Sequence, residues 1–317
     1  MNILVIGTGV IGTIYGMALS NAGHQVTHYV RPGKGQQFTN GIRVHILDGR
    51  GKKPHEYETH YDLKVTETLA SQPDYDLILV SVRHYQLPAL LPLLREHAGQ
   101  ADILFFNGNW QGLDEIDACL PRSRYLWGFP VAGGGYTPDS TLNAALLDEI
   151  RLGEIDGQET PRLQRIKAAF ESAELKVDVQ ANILHWLWVH FAINSGVIGA
   201  AFKAGGARAL LNSIPRLREA ILAGREALEV CKRRGVKIAD FEDARSFSQP
   251  AWLGAVAIWA MMKTNLPARR IMETHTAVDE LQAIFSDVRT TGEQLQVSMP
   301  YFQSLRAYVE SPRLVSD

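Results

Sequence analysis

Three glycines near the N-terminus constrain this chain more than any other feature. The run "NILVIGTGVIG" sets Gly7, Gly9 and Gly12 in a G-x-G-x-x-G register, directly after an apolar strand of Ile3 to Ile6 and before a helical stretch. Each glycine has a physical task in such a unit: Gly7 permits the tight turn, Gly9 lets the backbone approach a pyrophosphate, and Gly12 allows the helix to pack closely. The helix start at Val10 and Ile11 then offers backbone N–H groups and a positive dipole end to the phosphates. A glycine-rich turn is the plain alternative for the triplet alone. The strand before it and the helix after it make dinucleotide binding the reading.

The segments that follow alternate strand and helix, as βαβ units on a parallel sheet do. "QVTHYVR", "YDLILVSV" and "DILFFNG" read as further strands, Thr13 to Ala22 as a helix closed by Gly23, and Leu87 to Ala98 as a helix closed by Gly99. The stretch from Gly33 to Lys53, around "IRVHIL", reads as an extra hairpin or loop. From about Asn182 the apolar residues fall at helical spacing, and helices are expected over Asn182 to Ala204, Ser213 to Gly235, Phe247 to Thr264 and Pro267 to about Gln296. The fold class is therefore α/β: an N-terminal Rossmann dinucleotide-binding domain over residues 1–179, with a boundary near Val179, and a mostly helical C-terminal substrate and catalytic domain over residues 180–317. The tail after Pro312 is expected to be loose.

A chain of 317 residues with 46% hydrophobic composition can fill a core in each of two domains. The net charge of -2, with 32 basic and 34 acidic residues interspersed, offers no footprint for nucleic acid or an anionic membrane, so a small molecule is the expected partner. Oligomeric state is left open, a homodimer included. Cys119 and Cys231 form no CxxC and no metal-ligand spacing, and no metal site is expected. The opening strand carries no basic leader, so the expected location is cytoplasmic. "AWLGAVAIWAMM", Ala251 to Met262, is too short for a bilayer span and reads as a buried helix.

The end of the second strand decides between the two nicotinamide cofactors, because an acid there binds the ribose 2'-hydroxyl and an arginine accommodates a 2'-phosphate. "HYVRPGK" has no acid but carries Arg31, with Lys34 in the same loop. NADP is favoured, against the alternative of a merely solvated basic turn.

Three further segments, read with the fingerprint, resemble the ketopantoate reductase (2-dehydropantoate 2-reductase) family over nearly the whole chain. The family ends a strand with a lysine in a "vK-x-x-q" segment near the cofactor, and "SVRHYQ" places Arg83 and Gln86 at those points. The family asparagine between cofactor and substrate is matched by Asn107, followed by Gly108. The family's catalytic helix reads W-x-K-L-x-x-N, with a second asparagine four residues on; "WVHFAINSGVI" puts Trp188 at the tryptophan, His190 at the catalytic lysine, Asn194 at the first asparagine and Ile198 at the second. Four residues apart on a helix, His190 and Asn194 share one face. A histidine among Trp186, Trp188 and Phe191 also reads as a packed core residue. The family glutamate, twenty residues before a proline, falls on Glu280 ahead of Pro300; Asn265 matches a substrate-contacting asparagine, and Ala268 stands where the family has a serine. A solvated helix carboxylate next to Asp279 is the other reading of Glu280.

The resemblance implies catalytic roles for His190, Glu280, Asn107 and Asn194 and substrate contacts from Asn194, Asn265 and Glu280. It implies cofactor contacts from Gly7, Gly9, Val10, Ile11, Gly12, Arg31, Arg83 and Asn107. The implied reaction is hydride transfer from NADPH to the carbonyl of a small 2-oxo acid or related ketone. Its alternatives are alcohol oxidation in the reverse direction and a catalytically weak NADP-binding sensor. The apolar Ile198 and Ala268 remove donors for a polar hydroxy acid and shift the expected substrate away from ketopantoate.

Overall fold

A computed structural model describes residues 1–69, 74–275 and 277–312; the expected loose tail lies outside them. The chain divides into two compact units, the first from Met1 to Leu184 and the second from His185 onward. The division falls in the first turn of a helix that starts at Ile183.

The first unit is built on β1 (Asn2–Ile6), α1 (Val10–Asn21), β2 (Gln25–Tyr29), β3 (Ile42–Asp48), β4 (His55–Tyr61), β5 (Val65–Thr66) and β6 (Leu77–Val80). It continues with α2 (Leu87–His97), β7 (Asp102–Phe106), α3 (Asp114–Asp117), β8 (Tyr125–Tyr136), β9 (Leu142–Gly153), α4 (Pro161–Ser172) and β10 (Lys176–Val179). One sheet runs β4-β3-β9-β8-β7-β6-β1-β2-β5, with β10 also on β9. Its part from β5 to β8 is parallel throughout. In that part the order reverses between β1 and β6, the doubly wound arrangement whose ligands lie beyond the carboxyl ends of the strands at the reversal.

The burial of these strands explains why their sequence is so apolar. β1 and β6 are covered on both faces, with Ile3, Val5, Leu77 and Leu79 fully buried, so they read as continuous hydrophobic runs. α1 packs over them through Ile14, Tyr15 and Leu19, and Tyr15 meets Phe106 edge to face at 4.8 Å. The Tyr15 hydroxyl accepts a hydrogen bond from the Val131 N–H, which ties α1 to β8.

The Gly33 to Lys53 stretch does supply a strand, β3, which pairs antiparallel with β4 and parallel with β9. The long β8–β9 antiparallel pair has no counterpart in the sequence reading. β9, "LNAALLDEIRLG", is rich in helix formers, and β8 ends in "AGGGY" after a register shift between Pro130 and Ala132. Pairing on both sides overrides the local preference in both strands.

The second unit is helical: α5 (Ile183–Ala204), α6 (Ala207–Leu211), α7 (Ile214–Arg233), α8 (Arg245–Ser248), α9 (Ala251–Thr264), α10 (Leu266–Thr274), α11 (Val278–Gln294), α12 (Pro300–Ser304) and α13 (Arg306–Glu310). α5 and α7 approach to backbone contact, since a Cβ on Gly196 would stand 2.5 Å from the Gly224 nitrogen. Around this crossing Val189, Ala192, Ile221 and Ala223 are fully buried. The Glu226 carboxylate of α7 accepts the N–H groups of Tyr301 and Phe302 at the start of α12, and Phe302 stacks on Phe285 of α11 at 4.3 Å.

Three helical expectations need correction. Phe247 to Thr264 is two helices, because Pro250 lacks an N–H and holds Gln249 extended, with ψ 163. Pro267 to Gln296 is also two: α10 ends at Thr274, and the acidic pair Asp279 and Glu280 suits the first turn of a new helix. The apolar α9, expected to be buried, buries only Gly254, Ala255 and Met262, and exposes Trp252, Leu253, Val256 and Met261. Among the described residues, α5 rather than α9 is long and apolar enough to cross a bilayer, and 56% of its apolar window is buried.

Candidate active site

The residues singled out in the first unit gather at the carboxyl ends of adjacent parallel strands. Gly7 follows β1 with φ +110, a conformation that side chains rarely adopt, and a Cβ there would press on Ser81 at 2.9 Å. A Cβ on Gly12 would overlap the Gly7 carbonyl oxygen, so α1 sits against the turn at backbone distance. Gly9 differs: it caps α1 with extended backbone, and a Cβ there would meet nothing within 4 Å. The turn is therefore packed from below and open at Gly9, beside the first N–H groups of the helix at Val10 and Ile11. An anion can approach those N–H groups, and the helix dipole favours it.

Ser81, which the sequence reading passed over, holds this turn from the end of β6. Its Oγ donates to the carbonyl oxygens of Ile6 at 3.2 Å and Gly7 at 3.3 Å. A small hydroxyl residue directly after an apolar strand was the available signal. Tyr136, at the end of β8, reaches the same turn through hydroxyl contacts at 3.3 Å with the Thr8 carbonyl oxygen and Thr13 Oγ1. No local pattern marks it, because β8 brings it in across the sheet.

Arg83 and Asn107 lie after β6 and β7. The Arg83 guanidinium donates to the Tyr85 hydroxyl at 2.8 Å, and Gln86 Oε1 accepts the Arg83 N–H, which opens the turn into α2. Asn107 is 8% exposed; its Nδ2 donates to the Val82 carbonyl at 2.8 Å, while its Oδ1 is buried with no partner among the described residues. Its backbone carbonyl accepts from the Trp127 indole at 2.9 Å, which fixes the loop. A buried acceptor without a partner costs about 1 to 3 kcal/mol, so this oxygen is a ready place for a ligand donor.

Arg31 stands beyond β2 in an exposed loop, followed by Pro32, Gly33 and Lys34. The Lys34 N–H returns to the Arg31 carbonyl at 3.0 Å, closing the turn.

In the second unit α5 brings His190 and Asn194 together, with Asn194 Nδ2 2.7 Å from His190 Nε2. The imidazole also stacks on Trp186, with ring centroids 4.9 Å apart. Trp188 points elsewhere: the Arg234 guanidinium lies 3.5 Å over its ring, and its carbonyl faces the buried Cys231 thiol, whose pKa burial raises to about 12. Asn265 caps α10, its Oδ1 accepting the Ala268 N–H at 3.0 Å, so that oxygen is committed to the helix. Glu280 sits in the first turn of α11 and pairs with His275 at 3.7 Å, a partner that the sequence reading did not single out. No group of three metal-ligating side chains occurs among the described residues.

Residues 3–157 match the family described as Ketopantoate reductase PanE/ApbA. The chain is 22% identical over 317 residues to 2-dehydropantoate 2-reductase of Halobacterium salinarum, covering 96% of each. Among solved structures it resembles 2-dehydropantoate 2-reductase from Geobacter metallireducens, with TM-score 0.73, 17% identity and coverage of 98% of this chain and 99% of that one. It also resembles D-mandelate dehydrogenase in a ternary structure with NADH and anilino(oxo)acetate, with TM-score 0.71, 14% identity and 98% of each chain covered. Likeness at this identity is likeness of fold.

Proposed function

We propose a reaction from one premise: the chain belongs to the ketopantoate reductase family and is an oxidoreductase acting on CH–OH groups. The reaction is hydride transfer between NADP(H) and a small 2-oxo acid or related ketone, in a pocket altered from one suited to ketopantoate. The observation that carries it is the carboxyl end of the β1, β6 and β7 strands, where the turn is open at Gly9 and the Asn107 Oδ1 is buried without a partner. Both features fit a dinucleotide.

Gly9, Val10 and Ile11 hold the pyrophosphate, Arg31 and Lys34 the 2'-phosphate, and Arg83 and Asn107 the nicotinamide end. The bound cofactor supplies the hydride. His190 donates the proton to the substrate oxygen as it becomes a hydroxyl, and Asn194, its amide turned so that Oδ1 accepts from the imidazolium Nε2–H, fixes the ring. Glu280, with His275 beside it, binds the substrate or orients the acid. Asn265 contributes its Nδ2, since its Oδ1 is occupied. Ile198 and Ala268 favour an apolar substituent on the substrate over a hydroxylated one.

The reverse reaction is a second reading, with neutral His190 as base. The exposed apolar face of α9 supports a homodimer.

Steady-state turnover of NADPH with a panel of 2-oxo acids, and of NADP with the matching 2-hydroxy acids, tests the proposal. A less hydroxylated oxo acid should exceed ketopantoate in kcat/KM. Ketopantoate as the best substrate overturns the altered pocket, and cofactor binding without turnover of any member favours a sensor.

A further inference from the structure

The loop after β2 is held from outside itself. β5 pairs parallel with β2 in the register Tyr29 to Thr66, and the Val30 N–H donates to the Thr66 carbonyl at 3.0 Å. Glu67, the next residue, is thereby delivered to the loop that carries Arg31 and Lys34. One carboxylate oxygen accepts the Gly33 N–H at 2.9 Å and the other accepts the Gly35 N–H at 2.5 Å. The fit is close, since a Cβ on Gly35 would stand 2.7 Å from the carboxylate. Gly33 has φ +79 at the third place of the Arg31-Pro32-Gly33-Lys34 turn, where a type II turn needs glycine. These backbone N–H groups hold the Glu67 carboxyl below its usual range, as expected for hydrogen bonds to the charged form.

Two consequences follow from this clamp. A loop with glycines at 33 and 35 would sample many conformations, and ordering it on binding would weaken affinity. The carboxylate already orders it. The clamp also occupies the N–H groups of Gly33 and Gly35, so that an anion arriving at this loop must be met by side chains rather than by those amides.

From this geometry we infer that Glu67 is a positioning residue for cofactor selection, holding the turn that presents Arg31 and Lys34 to the 2'-phosphate. The inference rests on the NADP reading above. Selectivity then depends on a carboxylate committed to the loop backbone, which follows a different strand from the one that leads into the basic residues it serves.

The test is a double-mutant cycle on the full chain, with Glu67→Ala, Arg31→Ala and the double variant, and with Glu67→Gln as the conservative change. Binding of NADPH and NADH is read by fluorescence titration, and binding of adenosine 2',5'-bisphosphate and 5'-AMP by calorimetry, so that no turnover is needed. Glu67→Ala should weaken NADPH and the bisphosphate about tenfold, the scale of a charge-assisted hydrogen bond, and change NADH and 5'-AMP by less than about threefold. Glu67→Gln, which keeps one acceptor oxygen, should fall between. In the Arg31→Ala background, Glu67→Ala should cost clearly less than it does in the wild type, the remainder being the part carried through Lys34. Equal loss for both cofactors, tighter NADPH binding in Glu67→Ala, or additive losses in the double variant would overturn the inference. If Arg31→Ala itself fails to separate NADPH from NADH, the NADP reading falls and the role of Glu67 falls with it. If Arg31→Ala separates them and Glu67→Ala does not, only the role of Glu67 falls.

Discussion

Adding one methyl group at Gly9 should separate folding from cofactor binding. The backbone there has φ -75 and ψ -172, which alanine adopts freely, and the new Cβ meets nothing within 4 Å. Two small terms remain: alanine is a poorer N-cap than glycine by about 0.5 to 1 kcal/mol, and it lowers the entropy of the unfolded chain by about 0.4 to 1 kcal/mol in compensation. The net change in stability is then within about 1 kcal/mol, or roughly 4 °C in Tm for a unit of this size. Binding should respond differently. The methyl group occupies the open side of the turn and forces an anion away from the first N–H groups of α1. Losing one or two hydrogen bonds to a charged group costs about 3 kcal/mol, over a hundredfold in Kd. Gly12→Ala is the contrasting variant, because its Cβ overlaps the Gly7 carbonyl and the turn must move, so Tm should fall before binding can be measured. Thermal melts and NADPH fluorescence titrations of both variants read the two effects. A Gly9→Ala chain that binds NADPH like the wild type would refute the reasoning, because the open face would then not be where the pyrophosphate lies.

Further outcomes are expected elsewhere in the chain. Burial pushes His28, fully enclosed beside the Tyr61 hydroxyl at 3.0 Å, down to about 4. The unfolded chain takes up this proton near about 6.5, so the contribution of His28 is complete above that pH and falls by up to roughly 3 kcal/mol as pH drops toward 4. Urea unfolding against pH should show this acid limb, and His28→Leu should flatten it; an unchanged limb would reject the assignment. His190→Ala should lower kcat by about 10² to 10⁴ while leaving Tm and NADPH binding close to the wild type. A lower Tm with kcat of the folded enzyme intact would instead make His190 a packing residue under Trp186. If the proposed homodimer forms through the exposed face of α9, Val256→Glu should convert it to monomers by light scattering, and a wild-type mass of one chain or an unchanged mass in the variant would remove that face from any interface.

What the sequence disclosed was set by how local the forces are. The strands β1, β6 and β7 are buried on both sides, so an unbroken apolar run is their only workable composition, and they can be read directly. The turn at Gly7 is equally local. β9 is not, because its alanines, leucines and acids prefer a helix and only the neighbouring strands make it extended. Ser81, Tyr136 and Glu67 escaped for a related reason: each acts on a loop that is distant in sequence and adjacent only through strand order. Asn265 shows the opposite limit, since matching a family position gave no hint that its oxygen already closes a helix.

The glycine-to-glycine crossing of α5 and α7 bears on how such a pocket can change over time. Where Gly196 meets Gly224, the distance between the two helices is set by main chain and not by the bulk of any side chain. Exchanges at His190, Asn194 or Ile198 along α5 can therefore alter the chemistry presented without shifting the axis that presents it. A scaffold of this kind lets the chemistry along α5 be varied by substitution while the crossing stays where its main chain puts it. Any side chain at Gly196 or Gly224 would force the crossing open, so the glycine pair is the part that cannot be exchanged without moving the helix.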